Sequence, residues 1–376
     1  MLQAHADRLR TMLARPAHAG SRMPGLDALR GIAALLVVLY HYSLGYNGVV
    51  APHTTPLLMV FPFPAIGVQI FFAISGFVIF MTLERCARGR DFAMSRFARL
   101  YPPFLFCMLL TAAVTFVFQF NPRGITGADV AANLPMIVGL LDGVYVDPSY
   151  WTLTCEICFY ALIALVYYQL QQRFFPGRDS FEPRGFNVLL AATLAWMVIC
   201  VLGRTYGGGD MYAREALALN FQYGHLFVTG IAIYGLVKGR LLVPLSLLAI
   251  AALLGAMPVL GALSIGSVVK TLAIAFMIWV GARIPLNGWL ASVAFFLGGI
   301  SYSLYLIHQM IGFLMIARME QAGLNANLAL LLALAAIMLM AYAIRMYVEI
   351  PSQNAILKWY RGRKAAPAKL SPNNIA

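Results

Sequence analysis

Ten predominantly apolar segments, each about 20 residues long, limit what this chain can fold into. About 20 apolar residues in a helix are enough to cross the hydrocarbon core of a bilayer. The segments contain Gly and Pro and do not alternate with a period of two, which favours helices over a membrane β-barrel. We therefore predict an all-α polytopic membrane protein with about ten transmembrane helices, near 26–46, 65–83, 100–120, 151–171, 186–204, 218–237, 241–260, 264–283, 291–317 and 326–348.

The composition supports a membrane protein and excludes soluble enzyme folds. Of the 376 residues, 61% are hydrophobic and 11% are charged, with a mean hydropathy of +0.78. These values leave too little polar surface to cover a soluble protein of this size. The net charge of +13 would suggest a nucleic-acid partner in a soluble protein. In a membrane protein it is explained by basic cytoplasmic loops, so we expect the lipid bilayer as a partner and no nucleic acid.

The distribution of Lys and Arg predicts the topology. With the N-terminus inside, the inner segments hold most of the basic residues, and the outer loops hold only Arg123, Arg204, Arg214 and Arg318. This asymmetry predicts cytoplasmic N- and C-termini. We expect a cytoplasmic N-terminal arm at 1–25 without a cleaved signal peptide, a membrane domain at 26–351, and a basic, disordered cytoplasmic tail at 352–376.

The cysteines predict neither a disulfide framework nor a metal site. Four of the five lie in apolar runs. Cys155 and Cys158 have a C-x-x-C spacing, but no second pair accompanies them. We expect no metal ligands and no permanently bound cofactor.

Ionisable residues inside the predicted spans are the main functional candidates, because each costs free energy in the bilayer. Arg30 and His41 lie eleven residues apart in the first span, on one helical face and about 16 Å apart along the axis. Taken alone, Arg30 is explained by snorkelling to the inner headgroups and His41 by an interhelical hydrogen bond. Glu156 lies at the same predicted depth as His41. Such a His–carboxylate pair is typical of general-base catalysis, so we predict contact between them.

Two other intramembrane residues admit more than one interpretation. His308 fits a packing role and a functional role equally well, and Lys270 is better explained as a snorkelling or structural cation than as a catalyst. On the inner side, Arg96 and Arg99 lie on one helical face where the third span begins. Positive charge on the cytoplasmic side explains the neighbouring arginines, whereas two Arg on one face suit a phosphorylated ligand.

Several ordered motifs resemble the acyltransferase-3 family of integral-membrane O-acyltransferases. Arg30 and His41 match the R-x10-H spacing of that family's first helix. The likeness continues in family order through the blocks 26–34 (LDALRGIAA), 71–77 (FFAISGF), 96–102 (RFARLYP), 151–156 (WTLTCE), 301–308 (SYSLYLIH) and 348–351 (VEIP). Each block alone is weak, but the ordered set is specific.

The resemblance implies a membrane-bound enzyme that uses cytoplasmic acyl-CoA, usually acetyl-CoA, as co-substrate. The acceptor would be a hydroxyl of a carbohydrate or glycolipid, as in polysaccharide modification. His41 would be the general base and Glu156 its supporting carboxylate. Arg30, Arg96 and Arg99 would bind the donor, and Tyr302, His308 and Trp151 are candidates for substrate contacts. We expect a bacterial inner membrane, and a polar tunnel from the cytoplasmic face to His41.

Two other classes of function also fit parts of the sequence. A proton-coupled transporter or flippase of a glycan or lipid-linked sugar would use intramembrane His and Glu as proton relays. It would not need the R-x10-H and R-x-x-R motifs, and no inverted repeat is visible. A purely structural scaffold would not need ionisable residues inside its spans. The identity of the acceptor, the acyl chain and the oligomeric state do not follow from the sequence.

Overall fold

A computed structural model describes residues 23–63, 66–83, 86, 88–174, 183–206, 210–239, 242–256 and 264–365. Most of the predicted N-terminal arm and the last residues of the tail lie outside this set. Throughout the described ranges the regular structure is helical, as predicted. The α-helices are α1 (Pro24–Tyr40), α2 (Ile66–Leu83), α3 (Gly89–Val117), α4 (Gly127–Asn133), α5 (Trp151–Phe174), α6 (Pro183–Tyr206), α7 (Asp210–Ala218), α8 (Gly224–Val237), α9 (Leu242–Ala256), α10 (Ile265–Arg283), α11 (Gly288–Gln321), α12 (Ala326–Ile344) and α13 (Ile350–Ala365).

Seven helical segments of the described chain are long and apolar enough to cross a bilayer. They are Pro24–Val49, Ile66–Leu83, Gly89–Val117, Pro148–Val166, Ile265–Arg283, Gly288–Gln321 and Ala326–Arg363. Three shorter apolar helices accompany them, at Ala191–Tyr206, Gly224–Val237 and Pro244–Leu253. The predicted all-α membrane fold is therefore confirmed, with seven candidate spans of full length. About ten spans and cytoplasmic termini stay predictions.

Two widened helical turns interrupt the first and last spans. His41–Gly45 is a π-helix that continues α1, followed by one α-helical turn at Tyr46–Val49. Arg345–Glu349 is a second π-helix, between α12 and α13. Such turns are rare and occur frequently at functional sites. The first of them begins at the histidine singled out by the sequence.

Helices α1, α2 and α11 form the centre of the bundle. Helix α1 packs along α11 and α2, and α2 packs along α8 on its other side. Helices α2 and α8 approach closely at Gly76 and Gly230, where an added Cβ would collide with the backbone of Phe227 and of Ala73 respectively. Small residues permit this closeness between membrane helices. Ser75 is thereby left on the face of α2 that borders α3, α5 and α11.

Part of the basic tail that begins at residue 352 is helical, and the residues after Ala365, for which disorder stays a prediction, lie outside the described set. Helix α13 continues the last span as far as Ala365. The hydroxyl of Tyr360 donates a hydrogen bond of 2.6 Å to Asp91 near the start of α3, and α13 packs against α3. This docking gives the polar helix a tertiary partner, which composition alone does not reveal.

Candidate active site

Two histidines from different helices are joined by their ring nitrogens. His41 is the half-buried first residue of the π-helix, and His308 is a fully buried residue of α11. The Nδ1 atom of His41 lies 3.0 Å from Nε2 of His308, with 5.0 Å between the ring centroids. The Nδ1 atom of His308 lies 2.7 Å from the backbone carbonyl oxygen of Tyr305.

This chain of contacts assigns the protons of the histidine pair. A carbonyl oxygen only accepts, so Nδ1 of His308 must donate to Tyr305. In a neutral ring, Nε2 of His308 then accepts, and Nδ1 of His41 is the donor to it. Nε2 of His41 keeps its lone pair. The pair can therefore take up a proton at one defined atom, as a general base must.

Glu156 does not form the expected hydrogen bond with His41 in the described structure. Its Oε1 atom accepts from the hydroxyl of Ser75 at 2.6 Å and from the hydroxyl of Tyr160. Equal depth along two helices defines only one of the coordinates that decide whether two residues are in contact. The direction in which each residue points depends on how the helices rotate against their neighbours, and this packing joins His41 to His308.

A cavity of about 740 Å³ of empty space, partly open to solvent, lies between α1, α2, α3, α5 and α11. Arg30, Arg96 and Arg99 all line it, although Arg30 comes from a different helix. The rest of the wall is formed by Val68, Phe71, Phe72, Ile74, Ser75, Val78, Leu100, Thr152, Leu153, Glu156, Tyr160, Ser301, Tyr302 and Tyr305. The fold thus brings together the three arginines that the sequence predicted to act together.

The charge of this cavity is only partly compensated. Glu156 is the single acidic residue among its lining side chains. Arg96 donates to the hydroxyl of Thr82 at 3.2 Å, and its buried Nε atom has no hydrogen-bond partner. Within the described residues, Arg30 and Arg99 take part in no hydrogen bond or ion pair. Three guanidinium groups facing one carboxylate make the cavity suited to an anionic ligand.

Tyr305, one helical turn before His308, is one of the residues that line the cavity. The Tyr305 ring lies 5.9 Å from Phe71 and 5.5 Å from His308, centroid to centroid. Its hydroxyl makes a 2.7 Å hydrogen bond with the hydroxyl of Thr152. Neither His41 nor His308 lines the cavity. The structure therefore has a cationic cavity that approaches the histidine pair, with Tyr305 between the two.

The remaining predicted substrate contacts have different settings. Tyr302 lines the cavity and donates from its hydroxyl to the carbonyl of Leu100 at 2.9 Å. Trp151 packs in an aromatic cluster, with its ring 5.1 Å from that of Tyr223, and does not line the cavity. Lys270 is exposed, which agrees with the interpretation as a snorkelling cation.

Sequence reasoning missed Asp147, a fully buried carboxylate beside the histidine pair. Its oxygens accept from the backbone N–H of Ser149 at 2.9 Å and from that of Met310 at 3.0 Å. The pKa of Asp147 is raised, because the effect of burial exceeds the lowering by its hydrogen bonds and by the nearby His41. Asp147 lies in a connection outside the predicted spans, so it is not among the ionisable residues within them. Its position before Pro148-Ser149, where its side chain caps a turn, was the available signal.

Comparisons with known proteins agree with the motifs. The model of the acyltransferase-3 family, described as an acyltransferase domain, matches residues 23–346. Acyltransferase MdmB of Streptomyces mycarofaciens is 30% identical over 192 residues, which are 48% of this chain and 46% of that protein. The matched region thus spans about half the length of this curated relative. No solved structure matches the chain.

The family match covers most of the chain, including both histidines and the three arginines of the cavity. With the long apolar helices, it identifies an integral, multi-pass membrane protein. The resemblance carried by the ordered motifs is thereby confirmed, and the chain belongs to the acyltransferase-3 family.

Proposed function

We propose that this protein transfers an acyl group, acetyl in the first instance, from cytoplasmic acyl-CoA to a hydroxyl of a surface or exported carbohydrate. The observation that carries the proposal is the pairing of two sites. A cavity lined by three arginines approaches a histidine pair in which one nitrogen keeps its lone pair. Family membership supports acyl transfer, and the two sites suggest how donor and acceptor are handled.

The arginine cavity is the proposed donor site. Coenzyme A carries several phosphate charges, and guanidinium groups bind phosphate oxygens through paired hydrogen bonds. Arg30, Arg96 and Arg99 would hold this anionic part, and the acyl thioester would extend towards Tyr305. Glu156, held by Ser75 and Tyr160, lies in the same cavity and would act on the donor side. Tyr302 of α11 would also contact the donor.

His41 is the proposed general base. Its Nε2 atom would take the proton of the acceptor hydroxyl while that oxygen attacks the thioester carbonyl carbon. The carbon–sulfur bond then breaks, and the proton passes from His41 to the departing sulfur to give free coenzyme A and the ester. His308 would accept from Nδ1 of His41 throughout and share the positive charge. The buried carboxylate of Asp147 would favour the same charged state.

The sidedness is also part of the proposal. Acyl-CoA is made in the cytoplasm, and the arginine-rich ends of the helices would face it in a bacterial inner membrane. The carbohydrate or glycolipid acceptor would reach His41 from the other side, with Trp151 near its path. The transporter alternative is not favoured, because the chain belongs to an acyltransferase family.

Mass spectrometry of envelope glycans tests this function directly. Cells with and without the gene should differ by the mass of an acyl group on a glycan, and the difference identifies both acyl chain and acceptor. Cells that produce the His41→Ala variant at the wild-type level should resemble cells without the gene. Unchanged glycan masses in the presence of the wild-type gene would contradict the proposed acceptor class, and full activity of His41→Ala would contradict the general-base assignment.

A further inference from the structure

Outside the site described above, a buried ion pair joins the connection between α1 and α2 to helix α11. Nδ1 of His53 lies 2.7 Å from Oε1 of Glu320, near the end of α11. The two side chains are only 5% and 3% exposed. The backbone N–H of Thr54 donates to the other oxygen of Glu320 at 3.2 Å. The His53 ring is also stacked on Tyr46, with 4.7 Å between the centroids.

The second nitrogen of His53 bonds into the π-helix that begins at His41. Its Nε2 atom lies 2.9 Å from the backbone carbonyl oxygen of Tyr42. Both ring nitrogens thus face acceptors, one a carboxylate and one a carbonyl. A ring that donates to both carries two N–H groups and a positive charge. Glu320 is the counter-charge, and a buried charge requires such a partner.

Tyr42 links this ion pair to both histidines of the proposed active site. It is the neighbour of His41 in the chain, so the bond from His53 acts on the turn that holds His41. The hydroxyl of Tyr42 donates 3.0 Å to the backbone carbonyl of His308. Tyr42 therefore receives the bond from His53, is bonded to His41 along the chain, and donates to the backbone carbonyl of His308.

We propose that His53 and Glu320 are positioning residues that hold the π-helical turn of His41 in the orientation needed for proton transfer. The proposal rests on the proposed function of His41 as general base. A π-turn is rare, and a charge-assisted bond to a carbonyl within it favours that conformation over a regular α-helical turn. Neither residue lines the arginine cavity, so neither contacts the proposed donor.

The test is a steady-state comparison in proteoliposomes, with radiolabelled acetyl-CoA and envelope polysaccharide from cells that lack the gene. His53→Gln and Glu320→Gln should each lower kcat at least about tenfold, because a small displacement of a catalytic group is costly. The KM for acetyl-CoA should stay within about twofold of the wild type, because the cavity is unchanged. Glu320→Gln is nearly isosteric, so it removes the charge with little change in shape.

Asn327→Ala is the matched control, because Asn327 anchors the same connection without touching Tyr42. Its side chain accepts from the N–H of Leu58 at 2.8 Å and donates to the carbonyl of Pro56 at 3.0 Å. We expect this variant to keep the wild-type kcat. An equal loss in Asn327→Ala would show that the connection acts only by general packing, and would overturn the proposal.

Two further results would also overturn the proposal. These are a wild-type kcat in both ion-pair variants, and a rise in the KM for acetyl-CoA with unchanged kcat. An inactive wild type would instead contradict the proposed function, so the two failures are distinguishable. Thermal unfolding of each variant in detergent identifies any variant that fails to fold. If His53→Gln does not fold, the kcat of Glu320→Gln decides the question.

Discussion

His308 accepts a hydrogen bond from His41 across 3.0 Å, and the orientation of its own ring is set by a backbone carbonyl one turn earlier in α11. The lone pair of His41 is therefore placed on Nε2 by a residue 267 positions away in the chain. This relationship makes His308 part of the proposed catalytic apparatus, and it can be tested by a substitution that removes the acceptor nitrogen of His308.

Replacing His308 with Phe should lower kcat by about 10–100-fold, which is part of the contribution typical of a general base. Phe keeps an aromatic ring but cannot accept from Nδ1 of His41, so the imidazole of His41 loses its orientation. The KM for acetyl-CoA should not change, because His308 does not line the arginine cavity. Initial rates at varied acetyl-CoA concentration provide the measurement. An unchanged kcat would mean that His41 does not depend on this bond.

Replacing Arg99 with Ala should raise the KM for acetyl-CoA far more than the KM for the acceptor, because only the donor carries phosphates. We expect a rise of about tenfold, equivalent to roughly 1.4 kcal/mol of donor binding. Arg90→Ala is the matched control, since Arg90 is an exposed basic residue near the start of α3 and does not line the cavity. Equal effects of both substitutions would show that Arg99 acts only through its positive charge and not through specific contact with the donor.

Replacing Asp147 with Asn should destabilise the protein by about 1–3 kcal/mol, because an amide has one acceptor oxygen where the carboxylate has two. The N–H of either Ser149 or Met310 would lose its partner. Thermal unfolding in detergent measures the effect. Asp142→Asn is the control, because the carboxylate of Asp142 is exposed and its ion pair with Arg214 should contribute at most about 1 kcal/mol. A smaller loss for Asp147→Asn than for Asp142→Asn would contradict the role assigned to Asp147.

The same carboxyl group predicts a pH dependence of stability. Burial raises the pKa of Asp147, so the folded protein binds its proton more tightly than the unfolded chain does. Its contribution to stability should be complete below the ordinary pKa of Asp and should decline as the pH rises through the raised value. Unfolding temperatures of the wild type and Asp147→Asn, measured over a pH series, isolate this contribution. A stability difference that grows in favour of the wild type with rising pH would refute the prediction.

Replacing Gly76 with Ala should destabilise the bundle by about 1–3 kcal/mol or more, because the new Cβ would collide with the backbone of Phe227. The backbone of α8 cannot move aside as a flexible side chain could. Gly48→Ala is the control, since an added Cβ there meets no atom within 4 Å and Gly48 lies in a helical turn. Its stability should stay the same or rise by about 0.4–1 kcal/mol. Equal unfolding temperatures for the two variants would show that α2 and α8 can separate without cost.

Packing decided which of the intramembrane candidates act together. The R-x-x-R spacing predicted that Arg96 and Arg99 share a face, because both lie within one helix whose geometry is regular. The family resemblance grouped Arg30 with them, and in the structure all three line the same cavity. Equal depth predicted contact between His41 and Glu156, but depth describes only one of the coordinates that determine contact. His308 is joined to His41, and Glu156 to Ser75 and Tyr160.

The sequence by itself determined the all-helical membrane fold. Whether a segment can span the bilayer as a helix depends on its length and apolarity, which are local properties of the sequence. It also determined the candidate residues, since an ionisable group in an apolar run is visible without a structure. Only the tertiary structure decided the partners of His41, the contacts of Asp147 and the ion pair of His53 with Glu320. These contacts join residues far apart in the chain, and they depend on the rotation of each helix and on the paths of the connections, which the packing of the whole bundle sets.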